Sequence, residues 1–197
     1  NKFVFSIFKK KISLEKNNYF KFWEENTLIV LIILNILKLN FNDFKKKIES
    51  LQPLRGRGEK TKIFKNKKSF FLIDESYNSS PYTLKNSIIN ANNILKNNQK
   101  LVLVIGDMLE LGNFSEELHL SISETIKKVS PKLLFTVGSF SKIINTSAKN
   151  KIKAFHYKTY HRVYERLIEE LGDNDIVMVK GSNSINLSKI CERLKKK

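Results

Sequence analysis

From Ser69 to the C-terminus, short unbroken apolar runs alternate with longer stretches of helical periodicity, and few architectures accept that order. The runs read as strands at 70–74, 101–106, 133–137, 152–155 and 176–180. Helical patterns fall between and after them at 81–96, 115–129, 140–147, 159–171 and 183–196. Strands that are apolar on both sides need cover on both faces, which is the signature of a parallel sheet packed between helix layers. Each crossover is expected to be right-handed. The spacing therefore predicts an α/β fold: a Rossmann-like, doubly wound, mostly parallel sheet over residues 69–197.

The first third of the chain has a different grammar. Residues 2–22 alternate apolar and polar side chains, as in Phe3-Val4-Phe5-Ser6-Ile7 and Tyr19-Phe20-Lys21-Phe22, and predict two or three short antiparallel strands. An apolar helix is expected over 26–39, and an amphipathic one over 42–51 with Phe44, Ile48 and Leu51 on one face. So small a unit buries little core by itself, so it is expected to pack on something the chain does not contain. The Pro- and Gly-bearing run from Gln52 to Glu59 and the lysine-rich segment after it mark a boundary. The expected division is 1–60, a linker at 61–68, and 69–197.

Charge is the loudest number in the composition, a formal net charge of +17 over 197 residues. Its first reading is a nucleic-acid binder. The lysines, however, are scattered through every segment, and short runs such as Lys45-Lys46-Lys47 sit on helix faces or chain ends. Solvated surface explains them better, and no interleaved aromatic and glycine signature of RNA binding occurs. A basic binding module with salt-sensitive affinity stays as the competing class. The single cysteine, Cys191, rules out a disulfide framework and favours a reducing, cytoplasmic setting with a buried, inert thiol. The apolar stretch 28–39 is interrupted by Asn35 and Lys38 and is shorter than a membrane span needs, so no membrane partner is expected. The chain does not begin with Met and reads as a piece of a longer protein.

Chemistry-bearing residues cluster where the predicted strands end. The first strand of the regular region closes on Asp74 and Glu75 and runs through Tyr77 and Asn78 to Pro81, which can open a helix. In open α/β sheets, ligands lie beyond the carboxyl ends of the strands, so this loop faces the expected crevice. A polar strand-to-helix turn with a helix cap accounts for the same residues equally well. The second strand ends at Gly106, which allows a tight turn, then Asp107 and Glu110. Together with Asp74 and Glu75, Asp107 would suit a ribose, a cationic amine or a metal; a loop cap with a solvated Glu110 is the alternative. His119, one turn into a helix that Ser115 is expected to cap, can reach that loop, or simply hold structure. Lys180 and Ser182 lead into the last helix and suggest an anion site at its N-terminus. No G-x-x-x-x-G-K-[ST] loop occurs, so nothing in this chain holds ATP in the Walker manner.

Taken in order, D-E-S-Y-N-x-x-P from Asp74, G-D-M-L-E-L-G-x-x-S-x-x-x-H from Gly106 and V-K-G-S from Val179 resemble the C-terminal part of the Mur ligase family. The loop from Gly106 is most similar to the branch that adds D-alanyl-D-alanine, and the sister branches carry other sequences there. Upstream, Gly56-Arg57-Gly58-Glu59 resembles the G-R-x-E segment that closes the family's central ATPase domain, and the helix from Asn26 resembles the one after its H-N motif. The chain departs from the family pattern at Glu25, Ile29, Ser80 and Asn183. The resemblance implies an ATP-dependent, acid–amino-acid ligase of peptidoglycan precursor synthesis. A UDP-N-acetylmuramoyl-tripeptide carboxylate becomes an acyl phosphate, and the D-alanyl-D-alanine amine then attacks it. It implies ATP contacts at Asn26, Arg57, Asp74 and Glu75. Substrate contacts are implied at Tyr77, Asn78, Asp107, Glu110, His119, Lys180 and Ser182. Mg2+ ligands and the catalytic residues are expected mostly upstream of Asn1, and the working protein is expected to be a monomer.

Overall fold

The computed structural model describes residues 2–7, 10–15, 22–51 and 53–196. They form two compact units, Asn1–Pro53 and Leu54–Lys197. In the first, β1 (Lys2–Ile7) pairs antiparallel with β2 (Lys10–Glu15), followed by α1 (Phe22–Ile36) and α2 (Phe41–Ser50). Two of the expected strands are thus present, and the Tyr19-Phe20 run lies outside the described residues. Asn40 caps α2 by accepting from the Asn42 N–H at 3.1 Å. Ile7, Leu14, Leu31, Leu34 and Ile48 make a small core. Along α1, Ile29, Ile33 and Ile36 stay exposed. No helix among the described residues is long and apolar enough to cross a membrane.

In the second unit, six strands form one sheet in the order β3-β4-β8-β5-β6-β7. They are β3 (Glu59–Lys65), β4 (Lys68–Glu75), β5 (Leu101–Gly106), β6 (Leu133–Val137), β7 (Lys153–Tyr157) and β8 (Ile176–Lys180). All neighbours from β4 to β7 run parallel, and β3 is the antiparallel edge. The predicted doubly wound α/β class is the one observed. Helices α3 (Pro81–Asn93), α4 (Ser115–Val129) and α5 (Ser141–Ala148) cover one face, and α6 (Val163–Glu170) and α7 (Ser188–Lys195) the other.

Strand alternation assigns the side chains. Phe70, Leu72, Val102, Val104, Phe135, Val177 and Val179 share a core with Val163, Leu167, Ile190 and Leu194. Ile73, Leu103, Ile105 and Met178, offset by one residue, turn to the α3–α5 side and are fully buried. The chain leaves β4 and β5 toward the α3–α5 face but leaves β8, lying between them, toward α7. In open α/β sheets ligand crevices lie where such connections diverge, here at the carboxyl ends of β4, β8 and β5.

Three sequence expectations need correcting. Residues 61–68 are not a linker: a strand with Ile63 pointing inward has an open edge beside it, and β3 pairs with β4 along its whole length. The boundary between units therefore falls at Pro53–Leu54, and the Gly56–Glu59 segment belongs to the sheet-bearing unit. Ser115 is the first residue of α4 and not its cap; its hydroxyl donates back to the Gly112 carbonyl at 2.7 Å. The last helix starts at Ser188, because a tight turn at Asn183–Ile185 and a left-handed Asn186 (φ 60°) separate it from β8.

Candidate functional site at the carboxyl rim

Glu75 and Lys180 end adjacent strands in register, on the α3 side of the sheet. Both are buried, and their charged ends pair at 3.1 Å. The Ser87 hydroxyl, from α3, donates to Glu75 at 2.6 Å, and Lys180 also donates to the Asn78 carbonyl at 3.0 Å. A buried ion pair is tolerable only with such extra partners. Here it anchors the loop carrying Tyr77 and Asn78. Beyond it, Ser80 and Pro81 start α3 with a reciprocal Ser80–Thr83 cap.

Asp74 is one residue away and therefore on the opposite face. Its carboxylate accepts from the Ser76 hydroxyl at 2.7 Å and from Lys195 of α7 at 3.1 Å. Burial pushes its pKa up, but the Ser76 and Lys195 hydrogen bonds outweigh burial and hold the carboxyl below its ordinary value. Lys195 also reaches Glu59 at 2.6 Å, which ties β3 to α7. Next to this network, burial first and the Asp74 carboxylate second push the Cys191 thiol well above its ordinary value.

Asp107 follows β5 and turns toward α5. One oxygen accepts from the Ser139 N–H at 2.8 Å and the Phe140 N–H at 3.2 Å; the other accepts from the Ser141 N–H at 2.7 Å. It therefore closes the N-terminus of α5. Gly138 (φ 117°) makes room for it, since a Cβ there would overlap the Asp107 carboxylate. The expectation that Asp74, Glu75 and Asp107 converge on one crevice is not met: each carboxylate faces a different internal partner.

His119 is fully buried in α4, and its Nε2 accepts from the Met108 N–H at 2.9 Å. Nδ1 must then carry the proton, which it donates to the Ser115 carbonyl at 2.6 Å. Burial lowers its pKa, partly opposed by the Ser115 carbonyl and Asp107. Ser182 accepts from the Leu109 N–H at 2.8 Å. The loop after β5 is thus pinned at two consecutive amides, and Glu110, next along, is exposed with a left-handed backbone (φ 64°).

The remaining predicted residues face solvent. Arg57 is exposed, and its guanidinium lies 4.0 Å from the centre of the Tyr77 ring. Asn78 is exposed beside it. Asn26 is exposed on α1, in the other unit. Sequence reasoning missed Ser87, Gly138 and Lys195. Ser87 had a signal, a hydroxyl on the otherwise apolar face of Leu84, Ile88 and Ala91. Gly138 and Lys195 gain their roles only through neighbours distant in sequence.

Fold and rim together define a doubly wound α/β domain with exposed cationic, aromatic, amide and acidic groups at the carboxyl edge of its mostly parallel sheet. A sequence profile for the Mur ligase, glutamate ligase domain matches residues 57–183, and the chain belongs to the Mur ligase family. The UDP-N-acetylmuramoyl-tripeptide–D-alanyl-D-alanine ligase of Rickettsia prowazekii is 26% identical over 163 residues, 83% of this chain and 35% of that protein. The ligase of the same name from Bacillus subtilis is 27% identical over 149 residues, 74% of this chain and 32% of that protein. The chain spans about a third of the length of these curated relatives. The crystal structure of a MurF ligase from Thermotoga maritima in complex with ADP shares the fold, with a TM-score of 0.74 at 18% identity, covering 97% of this chain and 42% of that one.

Proposed function

We propose that this chain supplies one wall of an ATP-dependent ligase that joins D-alanyl-D-alanine to UDP-N-acetylmuramoyl-tripeptide through an acyl phosphate. The observation that carries the reading is the match to D-alanyl-D-alanine ligases across a rim whose exposed groups suit both reactants. The Arg57 guanidinium is a permanent, planar cation that can pair with phosphate oxygens through two N–H groups. Asn78 offers an amide that can accept from ribose or donate to a carbonyl. Glu110, on a loop fixed by His119 and Ser182, offers a carboxylate to the ammonium of the incoming dipeptide. Asp74, Glu75, Asp107, His119, Lys180 and Ser182 hold these groups in place, and Asn26 belongs to the ATPase side. Use of ATP places the reaction in the cytoplasm.

Among the described residues no group of three or more Asp, Glu, His or Cys side chains is arranged to hold a metal ion. A magnesium ion accompanying ATP would draw its protein ligands from elsewhere in the enzyme. Such multidomain ligases exclude water by closing on their substrates, so this wall is expected to be inactive alone.

The test joins the chain behind the preceding domains of the Bacillus subtilis ligase and measures phosphate release. Turnover should require D-alanyl-D-alanine and should not be supported by D-glutamate. A well-folded chimera that releases phosphate with D-glutamate alone, or with no amino substrate dependence, would move the chain to a different branch.

A further inference from the structure

We infer that Tyr77 serves the nucleotide phosphates through Arg57, as a positioning residue whose ring holds the guanidinium, and not as a group that touches ligand itself. The inference rests on the proposed role of Arg57 as a phosphate contact.

Three of the four other arginines are paired to carboxylates. Arg55 meets Glu192 at 2.7 Å, Arg166 meets Glu169 at 3.2 Å, and Arg193 meets Glu165. Arg166 and Arg193 also lie over rings, those of Phe155 and Tyr164, whereas Arg57 meets the Tyr77 ring without an ion pair to any carboxylate of the described residues. A guanidinium over a ring keeps its N–H donors pointing outward, whereas one paired to a carboxylate has them occupied. The stack removes rotamer freedom from a long exposed side chain without using up its donors.

The geometry beneath the stack is fixed from both sides. The Tyr77 N–H donates to the Gly56 carbonyl at 3.1 Å, and the Gly58 N–H donates to the Asp74 carbonyl at 2.8 Å. The turn bearing Arg57 and the strand end bearing Tyr77 are therefore sewn together. Gly56 permits this with a φ of 74°, and a Cβ there would sit 3.0 Å from the Tyr77 nitrogen. On the far side, Lys180 holds the Asn78 carbonyl and is itself held by Glu75, whose carboxylate accepts from the Ser87 hydroxyl. Tyr77 is 48% exposed, so its substitution leaves the core untouched.

The experiment uses the 197-residue chain as wild type, Tyr77→Leu, Tyr77→Phe and Arg57→Leu, with ADP as probe and adenosine as the control lacking phosphate. NMR follows the Arg57 Nε–H resonance and the titration. Ring current should displace that resonance in wild type and Tyr77→Phe, and Tyr77→Leu should return it to its unstacked position. ADP affinity should fall roughly three- to fivefold in Tyr77→Leu, the scale of an exposed cation–π contact, and be kept in Tyr77→Phe. In Arg57→Leu, ADP should bind no better than adenosine. Equal ADP affinity in wild type and Tyr77→Leu overturns the inference. So does an equal loss in Tyr77→Phe, which would make the hydroxyl a direct contact, or a wild type that does not distinguish ADP from adenosine. The branch assignment is read separately by dipeptide-dependent turnover, so either can fail alone.

Discussion

The two halves of the rim are built to different standards. On the β5 side, Asp107, His119 and Ser182 are buried and their polar atoms are matched to backbone groups within one loop and one helix end. On the β4 side, Arg57, Tyr77 and Asn78 are exposed and meet the rest of the molecule through a ring stack and a few backbone hydrogen bonds. The half richest in motif residues is thus turned inward, while Arg57, Tyr77, Asn78 and Glu110 stay open to solvent. Buried polar groups must find partners inside the protein, which leaves them unavailable to anything outside it.

That contrast can be broken most directly at Gly138. Gly138→Ala forces a methyl into the Asp107 carboxylate and a φ of 117° on a residue with a side chain. The expected cost is above about 3 kcal/mol, read as a urea midpoint shift. A small shift would mean the α5 cap is dispensable. Next in size is Glu75→Leu, which strands the buried Lys180 charge at a cost of about 3–5 kcal/mol. Adding Lys180→Met should recover most of that loss, although the Asn78 loop would loosen.

His119 gives a smaller, pH-dependent effect. Its folded pKa is lowered, so below the unfolded value of 6.5 the unfolded chain binds more protons than the folded one. The stability due to neutral His119 is complete above pH 6.5 and is lost as pH falls from there toward the lowered folded value. His119→Gln should be less stable by about 1–3 kcal/mol near neutrality and should show a shallower decline over that window. An identical decline in the variant would show that another group titrates. Cys191 should resist thiol reagents in the folded chain and react on unfolding, because its thiolate is disfavoured and enclosed. The least disruptive change is Arg57→Lys, with thermal stability expected within about 2 °C of wild type, since the residue is exposed. A large drop would show the open half to be structural after all.

Much of the fold was legible because its causes are local. Continuous apolar strands such as 101–106 and amphipathic segments such as 115–129 carry their own periodicity, and that was enough to define the doubly wound sheet. Strand β3 was missed because five of its seven residues, Glu59, Lys60, Thr61, Lys62 and Lys65, are polar or charged, and only its pairing with β4 makes it a strand. The site was half legible for the same reason. The motif residues do lie at the carboxyl ends of β4, β5 and β8, but residue type alone could not say which carboxylates would find internal partners.

By itself, then, the sequence determined the layer architecture, the rim where chemistry-bearing residues gather and the family to which the chain belongs, since each follows from periodicity or from contiguous motifs. Only the tertiary structure decided that Asp74 and Glu75 turn to opposite faces, that the Asp107 carboxylate closes the N-terminus of α5, and that Arg57 rests on Tyr77. Those outcomes depend on which distant segment supplies each partner, and pairing across a fold is not encoded at any one position along the chain.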